Sequence, residues 1–503
     1  MNDKKDMTTG LKLFFSLLTT AALLFAACGT DEAVRSRYDI EKKYNELNRY
    51  IQKTQIQPRL NDPGTAGEIQ NLYRGFIDDC FTAVKAVDSS REEYDEIANF
   101  AYVASRQLSQ ILFHRQKYDS CIAVIDNLLD RVRLGDYQRM NGWVSIGQAL
   151  QAGGQWDSAV YVYNYSLKNF YPPIKPDGEP AFDLLNLPVH IYNVFVSTGD
   201  TADAEGYFGQ AEQYYLTVVK DFKNTDLGVA ARSNLARLYF NDRKWQQAVD
   251  QLNLLTDTTG PVNASAHMKI ADIYAVNLRK LDTALIIYDE INGNLKDRDT
   301  VFKPLILYKK SLIYLEKGRF QQTRNLLIEL ENKFPAYYEF NPSAQYAKAK
   351  SFELENNWER AETEYKFLIE NFPGTREAMT VHLYLAEKLG KMGRKMEAER
   401  WRQKAEDYFE EIASRNKGTL QEALALSYKA ELFRQTGDWQ DAAETLCRLF
   451  DKFDQTDIGR RSLATAAAIY RKKLDNEAAA DSLMNRLRES MTKADVNWEE
   501  GSF

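Results

Sequence analysis

Glycine and proline are scarce in this chain of 503 residues, which contains only 25 Gly and 12 Pro. A β-rich fold with many tight turns needs more of both residues, and low-complexity disordered chains are also richer in them. The composition therefore disfavours both classes. The chain is too long for one simple hydrophobic core, so we expect several domains or an array of repeats.

Motifs for metals, phosphates and nucleic acids are also missing. The four histidines, His114, His190, His267 and His382, do not lie at metal-ligand spacings from one another, and His-x-x-x-His, Cys-x-x-Cys and glycine-rich phosphate loops are absent. The net charge of −7 gives no basic surface for nucleic acids or anionic lipids. We therefore expect no cofactor, no metal, no nucleic-acid partner and no enzymatic activity.

The N-terminal segment has the features of an export signal. Three lysines, Lys4, Lys5 and Lys12, give it a positive start, and an apolar run extends from Leu11 to Ala27. This run has 17 residues, whereas about 20 predominantly apolar residues are needed to span a bilayer. The pattern favours a cleaved signal, with a permanent transmembrane anchor as the alternative.

The residues around Cys28 resemble the lipobox of bacterial lipoproteins. Ala26 and Ala27 match the small residues before the cleavage point, and Cys28 matches the lipid acceptor, whereas Phe25 replaces the usual Leu, Val or Ile. The resemblance implies a diacylglycerol and an acyl chain on Cys28, which together anchor a protein stably. Gly29 stands where an Asp favours the inner membrane in enterobacteria, so the outer membrane facing the periplasm is expected. An ordinary secretory signal with a chance cysteine is the alternative.

A helix–turn–helix unit begins near residue 140. Trp143 and Gly147 share one face of a first helix, Gly154 lies at the turn, and Trp156 and Ala159 open a second helix. This order of aromatic and small residues resembles the tetratricopeptide repeat. In that family the small residues let paired helices approach closely, and the rings fill the space between neighbouring helices.

The same pattern recurs along most of the chain. The predicted second helices begin at positions 118, 156, 201, 245, 281, 320, 358, 395, 439 and 476. One such unit cannot bury its apolar face alone, so units stack on one another. We therefore predict an all-α fold, an α-solenoid (right-handed superhelix) of about ten tetratricopeptide-like helix–turn–helix repeats.

Two further helices, at 34–56 and 65–87, precede the repeats and are predicted to form an N-terminal helical cap. The predicted organisation is a signal peptide at 1–27, a lipidated N-terminus and tether at 28–33, the cap at 34–90, the repeat array at 91–490 and a C-terminal tail at 491–503.

Three cysteines remain if Cys28 carries lipid. They are Cys80, Cys121 and Cys447, and an odd number in an exported protein argues against a complete disulfide framework. Whether any two of them pair is left open by the sequence. Cys121 occupies the small-residue position that alanine fills in other repeats, which predicts a small buried side chain rather than a reactive thiol.

The first helix of each repeat lines a concave groove in tetratricopeptide proteins. The resemblance implies that polar residues just after the small position face this groove, and here they include Gln148, Gln151, Arg237, Asn241, Lys350, Glu353, Glu387, Glu431 and Arg434. Aromatic and arginine side chains are frequent anchors of interfaces. The predicted partner-binding residues are Arg237, Asn241, Tyr308, Tyr346, Lys350 and Arg434. The Lys/Asn array by which some relatives grip a terminal carboxylate is not recognisable.

The sequence thus predicts a membrane-anchored scaffold for protein or peptide partners at the bacterial cell envelope. Its helix endings Phe334-Pro335 and Phe372-Pro373-Gly374 resemble those of repeat lipoproteins in outer-membrane assembly, such as the lipoprotein subunit of the β-barrel assembly machine. The alternative is glycan capture by an outer-membrane lipoprotein of the SusD type, in which long loops carry the sugar site. Insertions between the predicted repeats are short, which disfavours it. A lytic-transglycosylase-like enzyme is disfavoured because repeats fill the chain.

Overall fold

The computed structural model describes residues 31–53, 63–256, 261–296, 299–339, 341–454 and 456–496. Over these ranges the chain is α-helical and forms no β-strand, which confirms the all-α prediction. It divides into two compact units, residues 1–266 (unit 1) and 267–503 (unit 2). The predicted signal peptide, the lipidation site Cys28 and residues 497–503 lie outside the described residues.

The described residues of unit 1 form eleven complete helices and the start of a twelfth. They are α1 (Glu32–Lys53), α2 (Pro63–Ala86), α3 (Glu92–His114), α4 (Tyr118–Arg131), α5 (Asp136–Ala152), α6 (Trp156–Asn169), α7 (Phe182–Leu185), α8 (Leu187–Thr198), α9 (Thr201–Asp221), α10 (Asp226–Asn241), α11 (Trp245–Thr256) and α12 (Pro261–Asp272), which crosses the boundary at residue 266.

Unit 2 continues with helices of similar length. After a π-helical turn at Ile273–Asn277, they are α13 (Leu281–Asn294), α14 (Phe302–Glu316), α15 (Phe320–Lys333), α16 (Pro335–Glu339), α17 (Pro342–Leu354), α18 (Trp358–Asn371), α19 (Arg376–Lys391), α20 (Lys395–Arg415), α21 (Leu420–Thr436), α22 (Trp439–Phe453), α23 (Asp457–Lys473) and α24 (Glu477–Val496).

Successive helices pack as hairpins, for example α5 with α6, α10 with α11, α17 with α18 and α22 with α23. Nine of the ten predicted second helices begin at the predicted residue, and the tenth, α24, begins at Glu477 rather than at position 476. The helix–turn–helix repeat predicted from the sequence is therefore confirmed.

Small residues set the spacing within the hairpins. Ala159, Ala248 and Ala361 are completely buried on their second helices. On the facing first helix, a Cβ atom at Gly147 would lie 2.4 Å from Cε1 of Tyr163, so only glycine allows this approach. Cys121 is 2% exposed in the equivalent position, which confirms its reading as a small buried residue.

Threonine caps begin four of the first helices. The side chains of Thr225, Thr375, Thr419 and Thr456 each accept a hydrogen bond from the backbone N–H three residues later. This bond satisfies one of the N–H groups that a helix N-terminus leaves without a partner. The caps fix the residue at which α10, α19, α21 and α23 begin.

Helices α1 and α2 lie where the sequence predicts two helices before the repeats. They share one hydrophobic core with α3, α4 and α5. Tyr44 of α1 contacts both α2 and α3. Its ring centroid lies 5.6 Å from that of Phe76 on α2 and 5.1 Å from that of Phe100 on α3. The two helices thereby cover the apolar face of the first hairpin.

The described helices include none that is both long and apolar enough to cross a bilayer. The described cysteines are free, with Cys80 and Cys121 buried and Cys447 half-buried. Burial raises the pKa of each of these three thiols, which keeps them in the less reactive protonated form.

Candidate functional site

A cavity of about 690 Å³ opens on unit 1 across the first helices of four successive hairpins. Helix α3 contributes Phe113, α5 contributes Gln148 and Gln151, and α10 contributes Arg237. The fourth helix is α8, which lines the cavity together with Asn186, the residue before it. We call this site the amide groove, and its polar lining includes Gln148, Gln151, Asp183, Asn186, His190, Asn193 and Arg237. A neighbouring cavity of about 200 Å³ shares Phe113, Gln148 and Asp183 with it.

An insertion between α6 and α8 forms part of the groove wall. Residues 170–186 connect the two helices through an isolated bridge, Ile174 to Pro180, and the short helix α7. Phe182 and Asp183 on α7 line the cavity, and Phe182 is 51% exposed. The expectation that the insertions are short is therefore wrong at this position, where extra chain reaches the groove.

The side chain of Gln151 is held in one orientation. Its Oε1 accepts a hydrogen bond from Tyr163 Oη at 3.0 Å and lies 2.9 Å from Nε2 of His190. An amide oxygen cannot donate, so His190 must donate from Nε2. Burial lowers the pKa of His190, so this ring is neutral at pH 7.

Asn186 links the start of α8 to α10. Its Oδ1 accepts hydrogen bonds from Asn234 Nδ2 at 2.9 Å and from Arg237 Nη2 at 3.2 Å. Arg237 is exposed, and no described carboxylate lies within ion-pair distance of it. The guanidinium therefore keeps donors that face the groove.

Asn241, which the sequence predicted as a binding residue, supports another residue of the groove. Its Nδ2 donates to Oδ1 of Asn193 at 2.7 Å. Arg237 and Asn241 thus lie at the same site, one lining the cavity and the other orienting a lining residue. Their role in partner binding remains a prediction.

Lys350, one of the predicted residues of unit 2, lies in a second cluster of polar side chains around Glu353. Lys350 Nζ is 2.9 Å and Lys388 Nζ 3.2 Å from the Glu353 carboxylate, which also accepts a hydrogen bond from Tyr365 Oη at 2.9 Å and one from Tyr384. Burial alone would raise the pKa of Glu353, but these partners outweigh it and lower the pKa to about 2. The ammonium group of Lys350 is therefore already paired.

Of the other predicted residues of unit 2, Tyr346 lies beside this cluster, whereas Arg434 does not. Tyr346 packs against Tyr365, with ring centroids 5.8 Å apart, and Tyr308 is half-buried against the same core. Arg434 is exposed on α21 and pairs with Glu431 at 2.8 Å. The structure thus brings Tyr346 and Lys350 together and leaves Arg434 apart.

His190 was considered in the sequence only as a possible metal ligand, and two further polar residues of the amide groove, Asn186 and Asn193, were not predicted at all. They lie seven residues apart, two turns of one helical face, and this spacing is the signal that could have indicated them. Among the described residues, no group of three or more His, Cys, Asp and Glu side chains is arranged to hold a metal ion.

The repeat is defined by paired helices, by small residues buried between them and by a glycine where the two helices of a hairpin approach most closely. The fold is tetratricopeptide-like. No model of a known protein family matches the chain, and no curated protein matches it.

Several solved structures of repeat proteins are similar to the chain. A tetratricopeptide repeat protein from Parabacteroides merdae ATCC 43184 is 16% identical, with a TM-score of 0.31, over 56% of this chain and 98% of that one. The apo form of the quorum sensor NprR from B. thuringiensis is 13% identical, with a TM-score of 0.37, over 74% of this chain and 99% of that one. The C-terminal part of a TPR repeat-containing protein from Cytophaga hutchinsonii is 12% identical, with a TM-score of 0.32, over 55% of this chain and 99% of that one.

Proposed function

We propose that this chain is a non-enzymatic scaffold that binds extended peptide segments of protein partners in the amide groove of unit 1. The observation that carries the proposal is the cavity of about 690 Å³ across the first helices of four successive hairpins. A groove that runs across several helices suits an elongated ligand better than a compact one. Its size lies within the range of ordinary ligand sites.

The chemistry of the groove suits binding rather than catalysis. Its amides do not titrate near neutral pH, and the guanidinium of Arg237 stays charged. His190 uses Nε2 to hold Gln151, and burial lowers its pKa. A general acid or base works best with a pKa near the operating pH and a free path to the substrate, so the lowered pKa of His190 and the bond at its Nε2 both disfavour it in that role.

We further propose that the scaffold is held at the cell envelope by lipid on Cys28, at the outer membrane facing the periplasm. The support is the export signal and the small residues before Cys28. In a Cys28→Ala variant expressed with its signal, the protein should move from the membrane fraction to the soluble fraction. Continued fractionation with membranes would show that the anchor lies elsewhere.

Site-specific photo-crosslinking tests the groove. A benzoyl-phenylalanine at Phe182, on the groove rim, should crosslink to envelope proteins when the mature chain is mixed with an envelope extract. The matched control is the same residue at Tyr161, which is 73% exposed on the second helix α6 and does not line the groove. Equal crosslinking from both positions would contradict peptide binding in the groove.

Glycan capture is the second candidate, because the insertion at 170–186 places Phe182 and Asp183 beside the amides of the groove. Aromatic rings and amides also bind sugars. Retention of the mature chain on envelope polysaccharide, abolished by Phe182→Ala and without protein crosslinks from that position, would favour this function over peptide binding.

A further inference from the structure

The amide groove contains three side-chain amides whose oxygens are already occupied. Oε1 of Gln151 is held by Tyr163 and His190, Oδ1 of Asn186 by Asn234 and Arg237, and Oδ1 of Asn193 by Asn241. The amide oxygen only accepts and the NH2 group only donates. Because protein donors hold the oxygen of each amide, its NH2 group must point away from those donors.

These three NH2 groups have no acceptor among the described residues of the chain, and none is a buried atom without a partner. They are therefore open to a ligand. Arg237 adds guanidinium donors beside Asn186, since its Nη2 lies 3.2 Å from Oδ1 of that residue. At these three amides and at Arg237 the groove presents oriented hydrogen-bond donors, whereas Gln148 and Asp183, which also line it, can accept.

We propose that the ligand of the amide groove is an extended acidic peptide segment. Its main-chain carbonyl oxygens accept from the NH2 groups of Gln151, Asn186 and Asn193, and one side-chain carboxylate pairs with Arg237. This inference rests on the proposed function, peptide binding in the groove, and adds the chemistry of the peptide.

The spacing of the donors fits an extended chain. Asn186 and Asn193 are seven residues apart, which corresponds to about 10 Å along a helix. An extended peptide covers this distance in about three residues, so a segment of four or more residues can reach both amides.

Asp183 limits the number of acidic residues that the groove accepts. It lines both the large cavity and the neighbouring one, together with Phe113 and Gln148. A ligand carboxylate beside Asp183 would be repelled, whereas one at Arg237 is attracted. We therefore expect a single acidic residue to dominate recognition rather than a long acidic run.

Oriented peptide pools test the proposal on the full mature chain. The probes are fluorescent octapeptide pools with one fixed central residue, Asp, Asn or Lys, and mixed residues elsewhere. A charge-assisted hydrogen bond should give the Asp pool about tenfold tighter binding than the Asn pool. Arg237→Gln should remove this preference, and the control Arg434→Gln, an exposed arginine of unit 2, should keep it.

Two isosteric variants test the amide donors separately from Arg237. Gln151→Glu and Asn193→Asp keep an oxygen that accepts from Tyr163 or Asn241, but they replace the NH2 donor with a second oxygen. Each should weaken binding of the Asp pool at least tenfold, with an unchanged thermal unfolding midpoint. Undiminished binding by both variants would overturn the donor arrangement.

The outcomes also separate this inference from the proposed function. If the pools bind without preference for Asp over Asn and Lys, the acidic ligand is wrong, and peptide binding stands. If no pool binds while envelope polysaccharide is retained, both are wrong.

Discussion

The phenolic hydroxyl of Tyr163 donates a hydrogen bond to Oε1 of Gln151 across 3.0 Å. Tyr163 is completely buried on the second helix α6, whereas Gln151 lines the groove from the first helix α5. One bond therefore connects the packed interior of a hairpin to its binding surface. Unit 2 repeats the arrangement with the same separation of twelve residues, where Tyr365 donates to Glu353 at 2.9 Å.

The variant Tyr163→Phe tests this connection. Removal of the hydroxyl should cost about 1 kcal/mol of stability, and it should weaken ligand binding because Gln151 loses one of the two donors that orient it. Thermal unfolding and peptide-pool binding measure the two effects. The matched control Tyr365→Phe should lower stability without changing binding in unit 1. Equal binding by Tyr163→Phe and the unmodified chain would contradict the proposed role of the bond.

Gly147→Ala should destabilise unit 1. The new Cβ would lie 2.4 Å from Cε1 of Tyr163, and overpacking of this kind costs about 1–3 kcal/mol. The matched control is Gly209→Ala in the interior of α9, where a Cβ meets no atom within 4 Å. That change should stabilise the helix by roughly 0.5–1 kcal/mol. Urea unfolding of both variants checks the prediction, and a stable Gly147→Ala variant would contradict it.

Glu353 should make unit 2 sensitive to acid. Its folded pKa of about 2 lies below the ordinary value of 4.5, so the carboxylate stabilises the fold above pH 4.5, and this contribution is lost as the pH falls toward 2. The shift corresponds to a contribution on the order of 3 kcal/mol.

Glu353→Gln checks this pH dependence. The variant should be less stable than the unmodified chain at pH 7, and the difference in unfolding midpoint should shrink between pH 4.5 and pH 2. A difference that stays constant over this range would show that the charge of Glu353 does not contribute. Circular dichroism melts at each pH provide the measurement.

His382 should also oppose folding at acidic pH. Its ring is stacked on Tyr408 with centroids 4.0 Å apart, and both ring nitrogens are buried without a described hydrogen-bond partner. Burial, with a smaller contribution from Lys404, lowers its pKa from 6.5 to about 3. The unfolded chain therefore binds a proton below pH 6.5 that the folded chain does not, which destabilises the fold.

His382→Phe removes this penalty while it keeps an aromatic ring in the core. At pH 5 the variant should be more stable than the unmodified chain by about 2 kcal/mol relative to their difference at pH 7.5. Urea unfolding at the two pH values measures the change. An identical difference at both values would mean that His382 is protonated in the folded chain.

Nine of the ten second helices could be predicted to the residue because the signals of the repeat are local. A turn residue followed by an aromatic ring, as at Gly154 and Trp156, fixes where a second helix begins, and the small residue that follows fixes its packing. The start of α24 was predicted one residue early, at position 476 rather than Glu477.

The groove could be predicted only in part. Gln148, Gln151, Arg237 and Asn241 were indicated by their position after the small residue, and the structure places all four at the groove. The orientation of each amide, however, depends on hydrogen bonds to distant residues, such as that from Asn241 to Asn193. The sequence pattern within one helix does not indicate a partner on another helix.

The path of the insertion at 170–186 could not be predicted from the sequence either, because a long spacing between repeats shows only that extra residues exist. Its anchors are Ala181, Leu184 and Leu185, at most 1% exposed, whereas its tip is exposed and closed by the bond from Lys175 N to Glu179 O at 2.8 Å. A fluorophore attached at a Glu179→Cys variant would therefore sit on the insertion that contributes Phe182 and Asp183 to the groove. The insertion thus offers an optical reporter of ligand arrival that leaves every groove residue in place.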